Sequence, residues 1–315
     1  MLACMRTTPA ACARVLLPPA ENPVEAMRLS LYNYDQNLAL HSTVRALDRN
    51  AVRQRFRVDY DSVHDQRVPA ILALPASQRR RMPVVILVHG SGGDKDTSYI
   101  QWASEALTSR GFATFSIDTQ YHGDRARKGR SGEIHLPDSY TMRDGWIQSV
   151  VDLRRAVDYL RTRPEIDGAR IGYLGFSQGA MLGAVLGGVE ERIRCFCLAV
   201  PGGGLVDLVK NIDRYPALKA RWPVHVTPEL LNRVEAIAAV TDPIYFVGRI
   251  APRPLLIIVA DYDEIIPPAA SQALIAAAHA TPDQVKRWPS GHVLHPNALF
   301  DIRGFFLAHL LATHS

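Results

Sequence analysis

Residues 170–180 read Arg170-Ile-Gly-Tyr-Leu-Gly-Phe-Ser-Gln-Gly-Ala180, and the reading of this stretch decides the fold. Arg170–Leu174 has the pattern of a buried strand, and the small apolar residues from Gln178 to Gly187 that of a helix. Between them stands Gly175-Phe-Ser-Gln-Gly179, a G-x-S-x-G pentapeptide. At a sharp strand-to-helix turn, this pattern lifts the serine above the sheet. Glycine two residues to either side lets strand and helix approach closely. The helix N-terminus directs its backbone N–H groups at the same point, which favours a developing oxyanion. Alone the pentapeptide says little, because with glycine near ~7% of residues chance supplies one in roughly a tenth of chains this long. Its place between a strand and a helix gives it weight.

On both sides of this turn, buried strands alternate with helices. Pro83–Val88 is a continuous apolar run, as expected of a central strand. Tyr99–Arg110 reads as a helix stopped by Gly111, and Phe112–Ile117 as a strand. Asp144–Arg163 is a long helix with Val150, Leu153, Val157 and Leu160 on its apolar stripe. Arg194–Val200, Pro254–Val259 and Gln284–Trp288 are strands, and Asn297–Thr313 is an amphipathic closing helix. Phe56–Tyr60 and Val68–Leu74 form an initial hairpin. The rhythm predicts an α/β fold with a mostly parallel central sheet of about eight strands flanked by helices. Residues 1–55 read as an N-terminal arm, Pro-rich and then helical, without strand alternation. Residues 56–315 form the main domain. Residues 201–249 break its rhythm and are expected to be a small helical cap, since about 50 residues make a poor independent core.

Composition narrows the function classes. The chain has 315 residues, 47% hydrophobic and 21% charged, with 21 Gly and 21 Pro. These values exclude a disordered, collagen-like or coiled-coil chain. The net charge of +5 (36 Lys+Arg against 31 Asp+Glu) is scattered, and no basic stripe points to nucleic acid. The densest basic run, Arg79-Arg80-Arg81, falls between two strands and reads as a loop tip. No apolar run is long enough for a membrane span. The four cysteines, Cys4, Cys12, Cys195 and Cys197, are too few for a disulfide scaffold, and no metal-ligand spacing surrounds them. Cys195 and Cys197 would share one face of a strand as buried thiols, which favours a reducing compartment. Met1–Ala20, broken by Arg6, Pro9 and Arg14, makes a poor secretory signal, so a cytoplasmic location is expected.

A serine nucleophile needs a base, and the base an orienting carboxylate, following it in the order Ser, Asp, His. The strand ending at Val259 runs into Ala-Asp-Tyr-Asp263-Glu-Ile-Ile-Pro267, and the last strand into Pro289-Ser-Gly-His292. Asp263 is the favoured acid, by its spacing to Ile266-Pro267, with Asp261 the runner-up and Glu264 a third competitor. His292 is the favoured base and His295 the alternative. The loop His89-Gly-Ser-Gly-Gly93 supplies a second oxyanion donor. The expected donors are the backbone amides of Ser91 and Gln178, with His89 bracing the loop. Asp118-Thr-Gln-Tyr-His122-Gly-Asp-Arg125 reads either as a turn pinned by side chains or as part of the substrate site. His122, Trp146 and Tyr245 are candidates for the substrate wall, with Tyr215, Trp222 and Phe246 beside them.

The elbow at Ser177, the acid at Asp263, the base at His292 and the His89-Gly90 loop together resemble the α/β-hydrolases, over about residues 56–312. Tyr60-Asp-Ser62, Val68-Pro-Ala70, His89–Gly93 and Asp118–Arg125 are similar to the dienelactone-hydrolase and acetyl-xylan-esterase-like branch. Dienelactone hydrolases carry a cysteine where Ser177 stands, so the resemblance favours ester chemistry. It implies a serine carboxylesterase acting on a small-molecule ester through a Ser-His-Asp triad, without metal or organic cofactor. The rivals are a peptidase or amidase of the prolyl-oligopeptidase-like type, and a non-catalytic ligand-binding member of the fold. Two roles stay open for the arm: capping the site or joining a homodimer.

Overall fold

The computed structural model describes residues 19–77, 81–127 and 139–311. Its strands are β1 (Thr43–Arg49), β2 (Arg53–Asp61), β3 (Arg67–Pro75), β4 (Met82–Val88), β5 (Ala113–Ile117), β6 (Ile166–Phe176), β7 (Cys195–Ala199), β8 (Leu255–Ala260) and β9 (Val285–Trp288). Its α-helices are α1 (Pro23–Ser30), α2 (Ser98–Thr108), α3 (Ser139–Thr162), α4 (Gln178–Val189), α5 (Leu205–Lys210), α6 (Pro216–Arg221), α7 (Pro228–Thr241), α8 (Pro268–Ala277) and α9 (Ala298–Phe306).

The nine strands form one sheet in the order β1-β2-β3-β5-β4-β6-β7-β8-β9. Neighbours from β1 through β3 to β5 pair antiparallel, and those from β5 to β9 are parallel. The centre obeys the two-residue period of a strand with both faces covered. Val84, Ile86 and Val88 of β4 join a core with α3 and α4. Val85 and Leu87 face a second layer with Ile100 and Leu107 of α2 and Ile302 and Phe306 of α9. Cys195 and Cys197 share that second face, buried and unbridged, as their spacing predicts. Among the described residues no helix is long and apolar enough to cross a membrane.

The main departure lies in the arm. β1 occupies residues read as non-strand, and β2 already begins at Arg53, so a boundary at residue 56 would cut a strand. All seven β1 residues are exposed, so the strand has no buried face to impose alternation. It makes nine strands where about eight were expected. The helical part of the arm is α1, which docks on residues around 239–249. Arg249 pairs with Glu25, Arg28 Nε donates to the Ala239 carbonyl (2.6 Å), and Tyr32 Oη donates to that of Val240 (2.7 Å). The closing helix is α-helical to Phe306 and widens into a π-type turn at Leu307–Leu311. Cys4, Cys12, Arg79, Arg80 and the arm's first prolines lie outside the described residues.

Candidate active site

Ser177 follows β6 directly and stands just before α4, as its N-cap, with φ of 53° and ψ of −116°. A left-handed φ on a non-glycine residue is strained, and the surroundings hold it there. The Ser177 N–H donates to the Ala199 carbonyl of β7 (2.8 Å), and its carbonyl accepts from Met181 N (3.0 Å). The flanking glycines are sterically required. A Cβ on Gly175 would stand 2.3 Å from the Gly179 carbonyl oxygen, and one on Gly179 would stand 2.3 Å from that of Val88.

The structure brings three of the expected residues together. Ser177 Oγ lies 3.0 Å from His292 Nε2, and His292 Nδ1 lies 2.9 and 3.0 Å from the carboxylate oxygens of Asp263. A carboxylate only accepts, so the proton sits on Nδ1, and Nε2 is left to accept the Ser177 hydroxyl proton. The Asp263 side chain is only 4% exposed. Its Oδ1 also accepts the backbone N–H groups of Ile265 (2.9 Å) and Ile266 (2.8 Å), which hold the charge in place. Glu264 steadies the opposite loop by accepting the His292 N–H (3.0 Å). The competitors are occupied elsewhere. Asp261 is 37% exposed and faces Arg287 (3.3 Å). The His295 ring stacks on Trp288 with centroids 5.0 Å apart.

The 89–93 loop sits against the serine, since a Cβ on Gly90 would come within 3.2 Å of Ser177 Cβ. Ser91 and Gln178 both line the cavity that holds Ser177 and His292. Gln178 is the first residue of α4, where a backbone N–H has no partner within the helix. Tyr99 Oη of α2 accepts the Gly90 N–H (2.9 Å), bracing the loop from behind. His89 is buried. Its Nδ1 donates to the Gly90 carbonyl (2.8 Å), and its Nε2 accepts from Thr119 N (3.3 Å). Burial, with His122 nearby, pushes the His89 imidazole down to about 3, so it stays neutral.

The cavity measures about 120 Å³. Met142 and Trp146 of α3, Met181 of α4, Leu205, Leu208, Leu218 and Trp222 of the 201–249 segment, and Ile265 and Ile266 beside Asp263 make an apolar wall. The segment thus covers the serine, and Trp146 and Trp222 stand where the sequence puts them. His122 and Tyr245 do not line the cavity. His122 is fully buried in the turn after β5, and its Nδ1 donates to the Gln120 carbonyl (2.9 Å). That turn is pinned by Asp118, which binds Lys95 Nζ (2.8 Å) and the Asp124 N–H (2.9 Å). Tyr245 is 43% exposed and lies under the Arg28 guanidinium at 4.1 Å, where α1 docks. Phe246 is buried against Tyr32. Several lining residues are not named by the sequence reading, and the charged one among them is Arg221, at the end of α6, which donates from Nη2 to Ser91 Oγ (3.0 Å). An arginine at the end of a short helix carries no signal that separates it from a solvated charge.

Comparison with known proteins bears on the family and the fold. The acetyl xylan esterase (AXE1) family model matches residues 31–204, and the serine hydrolase (FSH1) family model matches residues 126–300. YtaP of Bacillus subtilis (strain 168), named as a hydrolase, is 26% identical over 218 residues, 64% of this chain and 67% of that protein. The mitochondrial acyl-coenzyme A thioesterase 2 of Rattus norvegicus is 31% identical over 183 residues, 56% of this chain but only 35% of the thioesterase. Among solved structures, an acetyl xylan esterase from Paenibacillus sp. R4 superposes with a TM-score of 0.69 at 20% identity, covering 94% of this chain and 98% of that one. Acetyl xylan esterase 1 from Thermoanaerobacterium sp. JW/SL YS485 gives 0.70 at 17%, covering 93% and 96%. At these identities the superpositions speak for the fold, and the family models, each matching more than half of the chain, speak for the family. The chain belongs to the acetyl xylan esterase-like serine hydrolases, an esterase family of the α/β-hydrolase fold.

Proposed function

We propose that this hydrolase cleaves carboxylic esters of short acyl chains through an acyl-enzyme on Ser177. The observation that carries the reading is the hydrogen-bonded chain from Ser177 through His292 to Asp263 at the edge of an apolar cavity. Ser177 Oγ attacks the carbonyl carbon as His292 Nε2 takes its proton. Asp263 holds the Nδ1–H tautomer and stabilises the imidazolium. The amides of Ser91 and Gln178 receive the oxyanion. His292 then returns the proton to the leaving alcohol, and water repeats the sequence on the acyl-enzyme. An apolar cavity of about 150 Å³ holds a benzene molecule, so the smaller volume here fits an acyl group of a few carbons. The buried thiols Cys195 and Cys197 support a reducing compartment, the cytoplasm.

The test is hydrolysis of p-nitrophenyl esters from acetate to decanoate, with Ser177→Ala run in parallel. Turnover that is highest for acetate to butyrate, and absent in the variant, supports the reading. A wild-type chain that neither hydrolyses the esters nor takes a fluorophosphonate label at Ser177 overturns it.

A further inference from the structure

Among the described residues, Arg221 is the one Lys or Arg that lines the cavity. Both of its hydrogen bonds leave from Nη2, to Ser91 Oγ (3.0 Å) and to the Ser91 carbonyl (3.5 Å). Its Nε and Nη1 bond to nothing among the described residues. No carboxylate of those residues stands within ion-pair distance, whereas other arginines near the sheet, such as Arg125 with Asp152 and Arg192 with Glu190, are paired. A guanidinium is always charged and presents a planar fork that matches a carboxylate. Its neighbour Ser91 is neutral and satisfies one corner of that fork.

The site has two sides. Met142, Trp146, Leu205 and Leu208 are buried and apolar, which suits the acyl group. Arg221 is exposed and bonded to Ser91 Oγ, which suits a leaving alcohol that departs towards solvent. We infer that Arg221 selects esters whose alcohol portion carries a carboxylate, binding it through the open side of its guanidinium. The inference rests on the ester hydrolysis proposed above and names its substrate class.

Two acetate esters that differ in one charge provide the test: 4-acetoxybenzoate and its neutral methyl ester. The acyl group and the aryl ring are the same in both, and their intrinsic reactivities cancel when the ratio of kcat/KM values is compared between wild type and variant, so the change in the ratio reports on the carboxylate. In Arg221→Gln the ratio of anionic to neutral ester should fall about tenfold, mainly through KM of the anionic ester, while Arg221→Lys keeps it within about threefold of wild type. Raising NaCl to about 0.5 M should lower the wild-type ratio and leave the Gln variant's unmoved. If Arg221→Gln slows both esters equally, or the ratio stays put, the arginine only braces the Ser91 loop and the inference fails. A wild-type chain that turns over neither ester would count against the esterase reading instead. Binding then decides separately: titration calorimetry of 4-acetoxybenzoate into Ser177→Ala should show Kd rising about tenfold when Arg221→Gln is added. An equal Kd overturns the inference.

Discussion

At the scale of single residues, the loop after β8 offers three acids within four positions, and only their surroundings tell them apart. Asp263 is buried, faces both His292 and two backbone amides, and has nowhere else to place its charge. Asp261, two residues earlier, points to the solvent side beside Arg287. Replacing Asp263 by Asn keeps the shape but offers an amide group where Nδ1 needs a full negative charge, so the imidazole loses its productive tautomer. In Asp263→Asn, kcat on p-nitrophenyl acetate should drop by about 10⁴ with little change in folding. Asp261→Asn should stay within about twofold of wild type, since exposed substitutions away from specific partners act within ~0.5 kcal/mol. If the two variants lost activity to the same extent, Asp263 would not be the orienting carboxylate.

At the scale of elements, the same residue type carries opposite requirements in two helices. At the start of α4, glycines 175 and 179 stand where strand and helix backbones nearly touch, and a methyl group on either meets main-chain atoms that cannot move aside. In α9, Gly304 is exposed, and nothing lies within 4 Å of where its Cβ would be. Gly179→Ala should therefore destabilise by about 3 kcal/mol or more. Gly304→Ala should stabilise by roughly 0.5–1 kcal/mol through helix propensity. Urea denaturation of both variants checks the pair, and equal effects would show that the close approach at the elbow is not what fixes glycine there. The contrast also explains what was legible beforehand. β4, β6, β7 and β8 were readable because burial on both faces leaves a continuous apolar run, and the elbow because its glycines have a steric task at a fixed spacing. β1 was not, because a strand exposed on both faces has no pattern to show. That Asp263, His292, Ser91 and Gln178 gather around Ser177 was legible from the loops and the turn that carry them. His122 and Tyr245 could not be placed, because a polar or aromatic residue reads the same whether it lines a cavity, fills a turn or anchors an arm. Arg221 needed the third dimension entirely, since α6 and Ser91 are 130 positions apart.

At the scale of the whole molecule, buried ionisable groups set how stability follows pH. His89 braces the 89–93 loop in its neutral form, and adding a proton to Nε2 would set it against the Thr119 N–H. Its folded value of about 3 lies far below the ordinary 6.5, so between these values the unfolded chain binds more protons than the folded one. Stability from this source is complete above 6.5 and is lost as pH falls through that window, at up to about 1.4 kcal/mol per pH unit. His122, also lowered chiefly by burial, acts with the same sign. Glu190 is held below the ordinary carboxylate value by Arg192 and Arg154 against the opposing effect of its burial, and adds a loss only at more acid pH. Asp118 and Asp242 are raised chiefly by burial and oppose the trend, because their folded forms take up protons more readily than the unfolded chain. Unfolding free energy measured in urea should therefore decline from pH 7 to pH 5. His89→Gln should be less stable than wild type at pH 7 yet decline less steeply, the difference in decline over that interval reaching about 2 kcal/mol. Parallel declines in the two proteins would mean that His89 takes up its proton in the folded state near the ordinary value, and that the loop carrying Ser91 does not depend on a neutral imidazole behind it.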